Sequence, residues 1–497
     1  MDVTQLSRLQ FALTISFHFI FPSITIGLAG LIAIIETFRW RTRRDVYDRL
    51  SVFLTKLFAV TFVIGVVSGI VMEFQFGTNW SRFSGFVGDI FGAPLAAEGI
   101  LAFFLESAFV GLILFGRQRV SSTVRWIAGV LVFLGTTLSA FWILVANSWM
   151  QTPAGYVCQP DPSCSQSVPG EKAVLTDFWA AIFNPSILPR FMHTVSACWV
   201  VGAFFVMGIS AWYVLRGRNL DIARIALPLA VVIAFAGSGL MFVTGDLQTR
   251  EVYQWQPIKF AAMEGLFQTE NGAPLDLIAL PPAQSGPLNL AIGIPNALSL
   301  MTTGDLNGQI KGLANWDQSL WPPVAMTFVG FHTMVGIGAL MLLLMLLGIF
   351  FLWRKTIEKH TIWLKLAVAA IPLPILAVEF GWMTAEVGRQ PWIVYNLMRT
   401  VDGTSPGVSA GDVAVSIAAI VVLYAFLLFL WLYAIRKEIA TGPEPAPALA
   451  MSAEDAAAAA EPTATPTIAD VSADTPAAPA TTDAKRARKT DPNDGGQ

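Results

Sequence analysis

The chain has 497 residues, 55% of them hydrophobic and only 13% charged, with a mean hydropathy of +0.60. Too few polar side chains remain to clothe a water-soluble globule of this length, so that class is excluded. The net charge of −3 singles out no partner, and nothing in it calls for nucleic acid.

Nine apolar runs follow one another, at approximately 11–36, 52–74, 94–116, 124–147, 188–215, 222–245, 322–353, 361–386 and 412–435. Each is long enough to cross a hydrocarbon layer of ~30 Å as a helix that satisfies its own backbone hydrogen bonds. The expected fold is all-α, a polytopic membrane protein with nine transmembrane helices. In domain terms, 1–245 carries spans one to six, 246–320 is a long loop, 321–437 carries spans seven to nine, and 438–497 is a tail.

Span one holds His18 among Phe17, Phe19 and Phe21, with Arg8 before it. A secretory signal would be shorter and would end on small residues. Here the run ends instead on Arg39, Arg41, Arg43, Arg44 and Arg49. Basic residues recur at every second connection: Arg117, Arg119 and Arg125, then Arg216, Arg218 and Arg224, then Arg354, Lys355, Lys359 and Lys365, with Arg436 and Lys437 after span nine. The positive-inside rule puts these ends in the cytoplasm, the N-terminus outside and the C-terminus inside.

Charges in hydrocarbon are costly, so each ionisable residue within a span is a functional candidate. Span three carries Glu98 and Glu106, eight residues and about 80° apart on a regular helix, with Ser107 beside the second. That pattern suits a proton relay; the alternative is two protonated acids bonding neighbouring helices. Cys158 and Cys164 lie in the outside connection after span four, where a disulfide closing a small loop or two free thiols are both open. Span five holds His193 and a core cysteine, Cys198. A lone histidine on an apolar face is more often a hydrogen-bonded core residue than a metal ligand, and both readings stand for His18 and His193.

The loop at 246–320 contains six prolines, Pro257, Pro274, Pro281, Pro282, Pro287 and Pro295, and has a length that usually signals function. Within it Lys259 and Glu264 are placed to hydrogen-bond a hydroxyl and take its proton, although such residues in loops are usually just solvated. Span seven contains His332 and Met334, His360 sits in a basic connection, and span eight carries Glu379 and Glu386 and ends in Gly388-Arg389-Gln390-Pro391-Trp392. Neutral imidazole and methionine thioether are common axial ligands of haem iron. Spans one, five and seven enter from outside and span eight leaves outward, so His18, His193, Met334 and Glu386 all fall in the outer half, beside the loop. The Ala-, Pro- and Thr-rich tail with its KRARK patch reads as disordered and cytoplasmic.

Taken in order, SRLQFALT and FHFIF around His18, MEFQFGTNWS at 72–81, GDIFGAPLAAEGILAFFLES at 88–107, WILVANSWMQ at 142–151, FMHTV at 191–195, QPIKFAAME at 256–264 and GWMTAEVGRQPW at 381–392 resemble subunit I of cytochrome bd quinol oxidases, over about 1–437. The resemblance implies a quinol:oxygen oxidoreductase of the bacterial cytoplasmic (inner) membrane with two haem b, one low-spin and one high-spin, and one haem d. It further implies a second membrane subunit, small accessory subunits in some members, and quinol, O₂ and the lipid bilayer as the other partners. Carried over by residue, His193 and Met334 would ligate the low-spin haem b, and His18 and Glu386 the two high-spin haems. Glu98 would lie beside the oxygen-reducing haem, Glu106, Ser107 and Ser139 on a proton path from the cytoplasm, and Gln256, Lys259 and Glu264 in the quinol loop. Arg389 and Arg8 would support haem propionates, with Trp382 in the same motif as Glu386. This chain departs from the family in His332, where arginine is frequent, in Cys158 and Cys164, and in the tail; its loop resembles the short-loop class. Two rivals remain: a haem-free proton-coupled transporter, and an electron-transfer haem b protein that never meets oxygen.

Overall fold

The computed structural model describes residues 2–116, 119–164, 170–280 and 290–444. Arg117, Pro281, Pro282, Pro287 and the tail from 445 with its KRARK patch lie outside the described residues. The described helices are α1 (Val3–Thr42), α2 (Asp45–Thr78), α3 (Ser81–Ala97), α4 (Phe104–Phe115), α5 (Ser122–Gln151), α6 (Phe178–Ile182), α7 (Ile187–Arg216), α8 (Leu220–Trp255), α9 (Pro257–Glu264), α10 (Ala297–Thr303), α11 (Val324–Trp353), α12 (Thr361–Ala369), α13 (Pro372–Val387) and α14 (Ala410–Thr441). Among the described residues nine spans are long and apolar enough to cross a membrane, with α3–α4 and α12–α13 each counting as one. The fold is all-α, a multi-pass membrane protein whose short strands lie in the connections between spans.

Helix ends follow local chemistry. Asp2 caps α1 and Ser409 caps α14, each in a reciprocal capping box, with Gln5 and Asp412 respectively. The eighth span is broken where proline has no N–H to continue the ladder, so the single run expected at 361–386 is α12 followed by α13 from Pro372. The sixth span runs ten residues beyond 245, and its polar extension is held by Arg250 on Asp246 (2.8 Å) and Gln248 on Glu251 (2.6 Å). Span three is interrupted by a π-helical turn at Glu98–Phe103, so the regular-helix angle between Glu98 and Glu106 does not carry across it.

At the basic end of the bundle Arg39, Arg49 and Arg125 are held in ion pairs. Glu36, with no exposed surface, pairs with Arg39 (2.7 Å) and Arg125 (2.8 Å); Arg125 also meets Asp48, and Arg49 meets Asp45 and Asp221. These pairs tie α1, α2, α5 and α8 together. Deeper in, α1 and α7 touch backbone to backbone: a Cβ on Gly27 would lie 2.3 Å from the Cys198 carbonyl oxygen and 2.7 Å from the Gly202 Cα. Small residues at such a crossing are what membrane helices use to gain close packing. Cys198 is accordingly a fully buried core residue.

The opposite end carries the loops. Between α5 and α7 a hairpin of β1 (Tyr156–Gln159) and β2 (Lys172–Leu175) contains the Cys158–Cys164 disulfide. The long loop is more ordered than its prolines suggest. Pro257 opens α9, Gly265 ends it at φ +70°, and β3 (Glu270–Asn271) pairs with β6 (Gln309–Ile310) while β4 (Leu275–Leu280) pairs with β5 (Leu290–Ile294). Phe260, Ala261, Ala262 and Leu313 are buried in its own small core. Two further short strands, β7 (Trp392–Val394) and β8 (Met398–Arg399), follow α13.

Candidate functional site

The Gly27–Gly202 crossing sets the depth of two histidines. α1 and α7 both run from the loop end to the basic end, and His18 and His193 each lie nine residues before their glycine (27 − 18 and 202 − 193). At 1.5 Å per residue both rings sit roughly 13 Å to the loop side of the crossing. They are also held alike. His18 Nδ1 is 3.0 Å from the Ser68 hydroxyl on α2, and His193 Nδ1 is 3.2 Å from the Thr244 hydroxyl on α8. Each hydroxyl proton is already given to a carbonyl of its own helix, Ser68 to Ile64 at 2.9 Å and Thr244 to Leu240 at 3.0 Å. The hydroxyl oxygen therefore accepts from Nδ1–H, which leaves Nε2 bare as a ligand nitrogen.

Glycines follow both hydroxyl residues. A Cβ on Gly69 would stand 3.1 Å from the His18 ring, and one on Gly245 3.4 Å from the His193 ring. Met334 is seated the same way, since a Cβ on Gly381 of α13 would fall 2.7 Å from its Sδ. Next to Met334, His332 stacks on Phe328 with ring centroids 3.9 Å apart, its Nδ1 3.1 Å from the Phe328 carbonyl oxygen and its buried Nε2 without a partner.

Glu386 closes α13 inside a buried polar cluster. Asn147 donates to its Oε1 at 3.0 Å and Gln151 at 3.2 Å, and Arg389 holds Oε2. Arg389 keeps Nε and Nη1 without a partner, and Arg190, buried at the start of α7, keeps Nε. Unpaired guanidinium donors in a dry site fit an anionic carboxylate such as a haem propionate. The donor set as a whole, two bare imidazole nitrogens, a thioether and a carboxylate, fits haem iron. Trp382 lies against Phe19 with ring centroids 5.7 Å apart, and Arg8 is exposed on the first turns of α1.

Gln256 is the N-cap of α9, and Lys259 and Glu264 lie on that helix, which sets them apart. Lys259 Nζ donates to Gln151 Oε1 at 2.6 Å, and Gln256 Nε2 to the Gln151 carbonyl at 2.8 Å. Burial, with Arg190 as the next cause, holds the Lys259 ammonium well below the ordinary lysine range against the pull of Glu386. Glu264, five residues on and about 140° round the axis, is 3% exposed and has an unpartnered Oε1. Burial, with Asp276 adding to it, pushes its carboxyl up to about 8.

The remaining candidates form a second group on span three. Ser139 on α5 donates to Glu98 Oε1 at 3.0 Å, at the π turn where such irregularities frequently mark function. Glu106 is buried about two turns further, but the Ser107 hydroxyl is spent on the Phe103 carbonyl at 2.9 Å. The structure thus joins Ser139 to Glu98 and leaves Ser107 turned to its own helix. Sequence reasoning missed Ser68, Thr244, Asn147, Gln151 and Arg190. Asn147 and Gln151 stood inside the WILVANSWMQ motif; a hydroxyl or glycine in a span carries no signal until its neighbour is known.

The family model for cytochrome bd terminal oxidase subunit I matches residues 6–443. Cytochrome bd-II ubiquinol oxidase subunit 1 of Escherichia coli (strain K12) is 37% identical, over 89% of this chain and 97% of that protein. Cytochrome bd ubiquinol oxidase subunit 1 of Bacillus subtilis (strain 168) is 37% identical over 88% and 94%. A putative cytochrome bd menaquinol oxidase subunit I of the same strain is 31% identical over 88% and 97%. Among solved structures, the bd oxidase from Geobacillus thermodenitrificans superposes with a TM-score of 0.81 at 29% identity, covering 89% of this chain and 99% of that one.

Proposed function

We propose, on the premise that this chain belongs to the cytochrome bd terminal oxidase subunit I family and is a quinol:oxygen oxidoreductase, that it oxidises quinol at the loop end and reduces O₂ to water with protons drawn from the basic, cytoplasmic end. In balance, two quinols give up four electrons and four protons outside, and one O₂ takes four electrons and four protons from inside to form two waters. Charge is thereby separated without a pump. Two haem b and one haem d, when bound, supply the electron transfer and the oxygen chemistry.

The chain's residues divide the remaining work. His193 and Met334 hold the low-spin haem b, and His18 and Glu386 the two high-spin haems, with Ser68, Thr244 and Gly381 setting the ligand atoms. Arg389 gives its unpaired donors to a propionate. Glu264 takes a quinol proton, its raised carboxyl being matched to neutral pH, while Lys259 and Gln256 orient the headgroup. Glu106 and Glu98, with Ser139 on the latter, hold protons on the inward path. A second membrane subunit completes the oxidase in the bacterial inner membrane, with the N-terminus outside.

The observation that carries this reading is the pair of histidines at one depth, each with Nδ1 tied to a hydroxyl and Nε2 bare. A reduced-minus-oxidised spectrum of the purified oxidase tests it. The expected result is a low-spin b signal together with a long-wavelength chlorin band. A spectrum without haem would mean a transporter, and six-coordinate b haem alone would mean an electron-transfer protein that does not meet oxygen.

A further inference from the structure

Gln151 is the last residue of α5, has no exposed surface, and has no role in the scheme above. Its one amide faces two ways. Oε1 accepts from Lys259 Nζ at 2.6 Å, and Nε2 donates to Glu386 Oε1 at 3.2 Å and to the Ala385 carbonyl at 3.5 Å. Its main-chain carbonyl accepts from Gln256 Nε2 at 2.8 Å. One side chain thus joins the loop helix that carries Lys259 to the helix end that carries Glu386.

We propose that Gln151 is a shared positioning residue, fixing the Lys259 ammonium for the quinol headgroup and the Glu386 carboxylate for haem iron through the two ends of a single amide. The inference rests on the reading of Glu386 as an iron ligand and of Lys259 as a quinol contact. The amide does both jobs because it joins an acceptor and a donor at the end of one side chain without carrying a charge. Leucine has neither function, and glutamate keeps the acceptor but loses the donor.

The effect on Glu386 is graded rather than total, since Asn147 holds the same oxygen at 3.0 Å and Arg389 holds the other. Removing one donor leaves the carboxylate more basic, which favours ferric iron and lowers the potential of the haem it holds. The effect on Lys259 is larger. A buried ammonium losing its acceptor reorients, and hydrogen bonds to charged groups are worth enough to raise the quinol KM roughly ten-fold.

The test uses the assembled, haem-loaded oxidase and measures haem content, redox titration by absorbance, and KM with a short-chain quinol. Gln151→Leu is expected to keep full haem content, lower the potential of one high-spin haem and raise KM. Gln151→Glu is expected to keep KM near the parent value while that potential still falls, and Asn147→Leu to move the potential alone. If Gln151→Leu moves neither quantity, moves only one, or strips all haems alike, the proposal is overturned. Should the leucine variant not assemble, the glutamate variant decides: the split supports the proposal, and potential and KM both unmoved, or both lost, overturn it. Glu386→Gln separates this from the ligand assignment. An unchanged spectrum there defeats the assignment and the shared role with it, whereas a changed one beside a silent Gln151→Leu defeats the role of Gln151 alone.

Discussion

Glu264 gives a pH dependence that can be worked out in advance. Its carboxyl is pushed up to about 8 by burial and by Asp276, and its Oε1 has no partner. As a base it must be ionised before it can accept a quinol proton. With that value the ionised fraction is about 1% at pH 6, about a tenth at pH 7 and half at pH 8. kcat/KM for quinol, followed as oxygen consumption at subsaturating quinol, should therefore rise about ten-fold from pH 6 to 7, about five-fold more to pH 8, and level off above. The sign is fixed by the chemistry: a raised carboxylate is the wrong form below its pKa and the right form above it. Glu264→Gln should lower kcat/KM and flatten this limb. Asp276→Asn, which removes the second cause of the shift, should move the midpoint toward lower pH. A flat profile in the parent protein, a midpoint in the ordinary carboxylate range near 4.5, or the same rise in Glu264→Gln would refute the assignment.

Further outcomes test the ligand geometry and the fold. Thr244→Val removes the acceptor for His193 Nδ1–H, and Ser68→Ala does so for His18; each should weaken haem retention about 10- to 100-fold, read as the haem-to-protein ratio after dilution in detergent. Unaltered haem content and spectra in both would show that the hydroxyls do not set the tautomers. Gly381→Ala places a methyl group 2.7 Å from Met334 Sδ, so the low-spin signal should convert in part to high spin, as it should fully in Met334→Leu; an intact low-spin band in Met334→Leu excludes that ligand. Arg125→Met leaves the fully buried Glu36 short of one partner and Asp48 short of another. It should cost about 3–5 kcal/mol of stability, visible as a lowered thermal midpoint in detergent, with haem spectra retained in the folded fraction.

Much of the architecture is written in one dimension, because a membrane span needs only an apolar run of sufficient length and a basic flank. The nine runs became nine spans among the described residues, and Arg39, Arg49, Arg125 and Arg224 from alternate connections came into ion pairs at one end. His18, His193, Met334 and Glu386 were visible as rare polar or soft atoms in apolar sequence, and the ordered motifs named their family. What the sequence alone left open is everything that depends on a neighbour from another helix. Which nitrogen of His18 and His193 is bare follows from Ser68 and Thr244, fifty or so residues away, and their common depth follows from Gly27 meeting Gly202. The π turn at Glu98 is a backbone register choice that no periodicity announced, and the link from Lys259 through Gln151 to Glu386 joins residues more than a hundred positions apart. Apolar length and charge asymmetry act along the chain and so are legible there. Hydrogen bonds and close packing act across it over a few ångströms, and only the tertiary structure decides which groups come within that range.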